Sequence, residues 1–185
     1  MASRIILNET SYFGKGAINE VATEIKARGC KKVMLCTDPD LIKFGVATKV
    51  TDVLDKAGIA YKVYSGIKAN PTIENVKEGV EFCKAEGADI LVAVGGGSAI
   101  DTSKAIGIIM TNPEFSDVRS LEGVAPTKKP SKPILAVPTT AGTAAEQHVR
   151  HRAGALRGRP RHDGDDAQGT HGVHGHGRVV HAEAD

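Results

Sequence analysis

A chain of 185 residues with 41% hydrophobic content is long enough for one domain with a buried core, and leaves room for a tail. Its formal net charge of +2 gives no electrostatic footprint for nucleic acid or a strongly acidic partner. Residues 1–8 hold no basic and apolar leader, no apolar run approaches a membrane span, and three cysteines without metal or redox spacing fit a reducing, cytoplasmic setting.

Residues 4–7 and 10–13 are short apolar or aromatic runs that can pair as a hairpin or lie along a sheet edge. Gly14-Lys15-Gly16 is a turn. Residues 17–28 then carry apolar side chains at 17, 18, 21, 22 and 25, a helical stripe that Gly29 ends. Residues 32–37 read as a strand, followed at once by Asp38. In nucleotide-binding α/β folds an acidic residue at such a strand end accepts hydrogen bonds from a ribose hydroxyl and repels a 2′-phosphate. Before Pro39 it serves equally well as an N-cap or turn residue. Residues 46–57 are helical by periodicity and closed by Gly58, and residues 59–64 form a strand. Asn70-Pro71-Thr72 leads into a helix over 73–85, closed by Gly87. Asn70 is a candidate ligand contact, although Asn before Pro is also ordinary turn chemistry.

Residues 90–94, Ile-Leu-Val-Ala-Val, are apolar without alternation, as a strand covered on both faces requires. Gly95, Gly96 and Gly97 follow, and glycines let the backbone turn sharply and come close to another molecule. Ser98 reads as the N-cap of a helix to Met110, and Asp101 three residues on gives the pattern of a capping box. A helix start beside bare glycine amides is an anion site, because free N–H groups and the helix dipole both face the loop. The same residues also suit a plain strand-to-helix turn, and the spacing is not the G-x-G-x-x-G fingerprint. Residues 112–133 are polar and rich in Pro and Lys, with Lys128-Lys129 as solvated surface. Residues 134–137 are another buried strand, followed by a loop of hydroxyls and small residues that includes Thr139, Thr140 and Thr143.

The alternation of strand and helix predicts an α/β fold: a Rossmann-like parallel sheet with helices on both faces, and a hairpin or edge strands at the N-terminus. Asp38, Asn70, residues 95–98 and residues 139–143 all lie just after strands. Open α/β sheets bind ligands beyond the carboxyl ends of their strands.

Four stretches carry a family resemblance: residues 4–16, Gly95-Gly-Gly-Ser-Ala-Ile-Asp101, residues 112–123, and Pro138-Thr-Thr-Ala-Gly-Thr-Ala-Ala-Glu146. Over residues 4–146 the chain resembles the iron-containing alcohol dehydrogenases, and within them the lactaldehyde reductase (1,2-propanediol oxidoreductase) branch. The resemblance implies a Rossmann-like NAD-binding domain over 1–146, followed in the family by an all-helical domain that supplies the iron ligands. It places Asp38 at the adenosine ribose, favouring NAD over NADP. It places Gly96, Gly97 and Ser98 at the pyrophosphate, with Gly95, Asn70, Asp101, Thr139, Thr140 and Thr143 lining the cleft. The family reaction is hydride transfer between nicotinamide and a small alcohol or aldehyde, with Fe2+ polarising the oxygen. Glycerol and butanol dehydrogenases are neighbouring activities on the same scaffold. A homodimer through the N-terminal strands is the family's habit.

After Glu146 the resemblance stops. Residues 147–185 hold all seven histidines (148, 151, 162, 171, 174, 176 and 181) and show no apolar period, so they read as an unstructured tail. His171-x-x-His174-x-His176 leaves open a metal-binding tail on a non-enzymatic nucleotide- or metal-binding protein. The composition fits coding DNA read out of frame better. Triplets taken one base later from Gly158 permit a run resembling the family segment that enters its helical domain. On this reading the chain carries the cofactor domain without the helical one. It has no catalytic or metal-binding residues of its own, and no turnover alone.

Overall fold

The computed structural model describes residues 10–121, 127–140 and 177–182. They build one six-stranded sheet from β1 (Thr10–Gly14), β2 (Lys32–Cys36), β3 (Ala60–Tyr64), β4 (Ile90–Gly95), β5 (Ile134–Pro138) and β6 (Gly177–Ala182). The strand order is β1-β6-β5-β4-β2-β3, and every pairing is parallel. Parallel neighbours need crossovers that return the chain to the same end of the sheet. From β1 to β5 those crossovers are supplied by α1 (Glu20–Ala27), α2 (Pro39–Lys43), α3 (Val46–Lys56), α4 (Ile73–Glu86) and α5 (Gly97–Thr111).

Side chains alternate across each central strand and divide the core in two. Val33 and Leu35 of β2, Ile90, Val92 and Val94 of β4, and Leu135 and Val137 of β5 pack with Val21 and Ile25 of α1 and Val50 and Leu54 of α3. Met34, Cys36, Leu91, Ala93, Ile134 and Ala136 point the other way, onto Val76, Val80 and Cys83 of α4 and Ile100 and Ile106 of α5. The sheet is therefore covered on both faces, which is why its central strands carry no polar alternation. Among the described residues no helix is long and apolar enough to cross a membrane.

Local signals fix the helix ends. Thr72 accepts from Asn75 N, and the Asn75 side chain accepts from Thr72 N at 3.1 Å, a reciprocal cap that starts α4. Gly87 closes it in the left-handed region, at φ 62°. Thr72→Ala removes the side-chain half of this cap and is expected to lower stability by about 1 kcal/mol, read by urea denaturation.

The structure departs from the sequence reading at several points. The first helix enters through a 3-10 turn, Ala17–Asn19, before α1 proper. The short helix α2 was not foreseen; its five residues are too few to show a period. Among the described residues β1 lies at a sheet edge, paired in parallel with β6, and the hairpin partner expected for it, residues 4–7, lies outside the described residues. The tail was read as unstructured throughout, yet Gly177–Ala182 forms β6 between β1 and β5. Six residues with two adjacent valines satisfy backbone pairing in a slot between two strands, and no longer period is needed for that. The 112–133 stretch is not all surface: Val118 and Leu121 are buried in the core, and so is the side chain of Asn112.

Candidate functional site

The chain leaves β2 towards β3 on one side, and leaves β4 towards β5 on the other. β2 and β4 are neighbours, so their two connections part and open a crevice at the carboxyl edge between them. Such switch points are where open α/β sheets take their ligands. Asp38 follows β2 and the glycine loop follows β4, so the two strongest sequence candidates face this crevice from opposite strands.

The loop is built differently from the expected capping box. β4 continues through Gly95, paired with Pro138, and α5 begins at Gly97. Gly96 is therefore the N-cap, with no side-chain cap, and Ser98 is already the second helical residue. The cause is the ladder: Thr139 N donates to Gly95 O at 3.1 Å, holding the strand to its last residue. Ala99 N and Ile100 N both reach back to Gly96 O, at 3.1 and 3.2 Å. The N–H groups of Gly97 and Ser98 find no acceptor among the described residues, as at any helix start that awaits a ligand.

Glycine is required at two of these positions for separate reasons. Gly95 has φ 150°, and a Cβ there would lie 2.7 Å from Ala99 Cβ and 3.4 Å from Leu41 Cδ1. At Gly96 a Cβ would lie 2.8 Å from Thr140 Oγ1. The backbone thus forms a bare cradle between α2 and the Thr139–Thr140 loop. A dinucleotide's pyrophosphate fits it, since the cradle offers unclaimed N–H donors, the positive end of a 15-residue helix and no side chain in the way.

Asp38 fills the capping role that the sequence leaves open for it. Its backbone is extended and its Oδ1 accepts from Leu41 N at 2.8 Å, so it caps α2, with Pro39 in the first turn. Among the described residues Oδ2 has no partner and is left for another donor. Asn70 lies in the loop after β3, exposed, at φ 59°; it is the one described residue other than glycine with positive φ. Asn tolerates that region because its side chain is short and polar. Thr139 and Thr140 sit exposed at the end of β5, while Thr143 lies outside the described residues. Asp101 lies one turn into α5, and its Oδ1 is 3.2 Å from Lys104 Nζ.

Two participants escaped the sequence reading. Leu41 reaches over Gly95 from α2, and the signal for it was the Asp38-Pro39 helix start. Lys104 is buried, and its spacing of three from Asp101 marks it as that residue's helical neighbour. Two buried hydroxyls flank the crevice residues in sequence, Thr37 Oγ1 and Thr102 Oγ1, and neither has a hydrogen-bond partner among the described residues. Cys36 is no nucleophile: burial pushes its thiol up to about 12. Among the described residues no three His, Cys, Asp or Glu side chains come together to hold a metal ion. The described residues do not supply the ligands of an iron centre.

Known proteins share this arrangement. The family model described as iron-containing alcohol dehydrogenase matches residues 8–148. The lactaldehyde reductase of Escherichia coli (strain K12) is 57% identical over 151 residues, which are 82% of this chain and 40% of that protein. The chain thus spans about two fifths of the length of the curated relatives it matches. A crystal structure of a 1,3-propanediol oxidoreductase superposes with a TM-score of 0.75 at 37% identity, covering 82% of this chain and 39% of the other. A sulfoacetaldehyde reductase from Bifidobacterium kashiwanohense, solved in complex with NAD+, superposes at 0.67 and 29% identity, covering 80% and 39%. With three quarters of its length inside the family match, this chain belongs to the iron-containing alcohol dehydrogenase family.

Proposed function

We propose that this chain binds NAD in the crevice between β2 and β4, as the cofactor portion of a dehydrogenase that acts on a small alcohol or aldehyde. The observation that carries the reading is the bare helix start at Gly96–Ser98, facing Asp38 across the switch point. The pyrophosphate lies on the N–H groups of Gly97 and Ser98, and Asp38 Oδ2 accepts from an adenosine ribose hydroxyl. Asn70, Asp101, Thr139 and Thr140 line the cleft. The identity with a lactaldehyde reductase favours hydride transfer between nicotinamide and lactaldehyde or 1,2-propanediol. Bound NAD supplies the hydride acceptor; the residues described here bind and orient it. The expected result for this chain alone with 1,2-propanediol, NAD and added Fe2+ is no NADH above blank, and clear turnover would reject the reading of a cofactor portion without the helical domain.

A homodimer through the N-terminal strands would use the β1 edge, where Phe13 is 73% exposed. Cytoplasmic residence fits three cysteines that are all free thiols.

Calorimetric titration with NAD and NADP tests the cofactor reading. The expected result is NAD binding at least about tenfold tighter than NADP, because Asp38 repels the 2′-phosphate. Asp38→Asn keeps an acceptor for Leu41 N and removes the charge, so that preference should shrink about tenfold with little change in melting temperature. Equal affinities of the unsubstituted chain for the two dinucleotides, or no binding of either, would reject the reading.

A further inference from the structure

The loop that carries Asn70 is anchored by one side chain. Tyr64 ends β3 and is 7% exposed. Its hydroxyl donates to Asn75 O, in the first turn of α4, at 2.8 Å. Gly66 comes so close to the ring that a Cβ there would lie 2.5 Å from the phenol oxygen. Ile67 is buried in the same core cluster as Tyr64, and Phe82 of α4 meets the ring at 5.4 Å between centroids. Burial pushes the phenol up to about 12, so at neutral pH it stays a donor.

Residues 68–70 are exposed between two fixed points. Gly66 and Ile67 are held on one side, and the Thr72–Asn75 cap on the other. Tyr64 touches both. Asn70, between them, stands at φ 59°, a backbone state that persists in residues other than glycine when the surroundings impose it. β3 runs parallel to β2, and β2 to β4, so this loop leaves the sheet at the same edge as Asp38 and the glycine loop. A phenylalanine would fill the space of the Tyr64 ring; what it lacks is the bond to the turn beside Asn70.

We propose that Tyr64 is a positioning residue, which fixes the 65–72 loop through Gly66 and Asn75 and so holds Asn70 where it meets the dinucleotide. The inference rests on the cofactor reading above and adds a residue that touches no ligand itself. The Asn70 amide makes the contact, and the Tyr64 phenol sets where that amide stands.

The test is a double-mutant cycle on the full chain, with NAD affinity read by titration calorimetry: unsubstituted, Tyr64→Phe, Asn70→Gly and the two together. Asn70→Gly keeps the positive φ and removes only the amide. It is expected to weaken NAD about fivefold, as loss of one hydrogen bond does. Tyr64→Phe should weaken NAD about threefold where Asn70 is present and cause no further loss where it is replaced, because a phenol that acts through the amide has nothing left to position. If Tyr64→Phe fails to fold, Gly66→Ala enters the same cycle, since its Cβ presses the loop off the ring from the other side. It too should cost NAD affinity only where Asn70 is present. A merely structural tyrosine would lower the melting temperature and weaken NAD equally with and without the Asn70 amide. That additive pattern, or NAD affinity indifferent to Asn70→Gly, overturns the inference while the cofactor reading stands. Absence of NAD binding by the unsubstituted chain overturns both.

Discussion

Gly95→Val is expected to weaken NAD binding roughly a hundredfold and to destabilise the fold by about 3 kcal/mol. Two effects act together. At φ 150° a β-branched residue is strained. Its Cβ would also sit 2.7 Å from Ala99 Cβ, in the first turn of α5. That contact is with a short side chain held by its helix, so relief must come from moving the helix start. The Gly97 and Ser98 N–H groups move with it, and hydrogen bonds to a charged phosphate are each worth about 1.5–3 kcal/mol. Titration calorimetry reads the first effect and thermal melting the second. An NAD affinity within twofold of the unsubstituted chain would show that the cradle is not where the dinucleotide sits.

Asn112→Ala should cost about as much stability, roughly 3 kcal/mol, and leave NAD affinity unchanged. Asn112 is 1% exposed and sits just past the far end of α5. Its Nδ2 donates to Ile108 O at 3.1 Å and to Lys129 O at 2.9 Å. Its Oδ1 accepts from Lys128 N at 3.1 Å and Lys129 N at 2.9 Å. Alanine would strand the Lys128 and Lys129 N–H groups and the Lys129 carbonyl at once. For a chain of this length the loss is a fall of about 10 °C in melting temperature. The contrast with Gly95 is diagnostic, since both substitutions loosen an end of α5 and only one of those ends faces the crevice. A shift of less than about 2 °C would mean that the 128–129 segment is held by something other than Asn112.

The two cases show what the sequence made legible. The unit from Ile90 to Thr111 was readable because its apolar run, its glycines and its helix are each unambiguous over several residues. The division of the core was readable for the same reason. Gly95's role as the last strand residue was not, because it depends on Thr139 N, far along the chain, extending the ladder. Ser98 looked like the cap on local grounds, and a tertiary hydrogen bond overruled it. Asn112 was placed with its polar neighbours, since nothing local distinguishes an amide that fastens a loop from one that faces solvent. Asp38 was the reverse case. Cap and ribose contact stand as rivals in the sequence, yet a carboxylate has two oxygens, and the cap takes only one of them.

The order of the strands in space also governs the order in which the molecule can assemble. β2, β3, β4 and β5 are neighbours in the sheet and all lie within residues 32–138, so they can condense as soon as that stretch exists. β1 is among the earliest residues made, yet its one described strand partner is β6, among the latest. It must wait through residues 15–176 with its edge unmatched, and the closure entropy of that long loop is met only when β6 slots in between β1 and β5. During that interval β1 and the β5 flank are open templates for stray strands, which makes late arrival of β6 the step most exposed to misassembly.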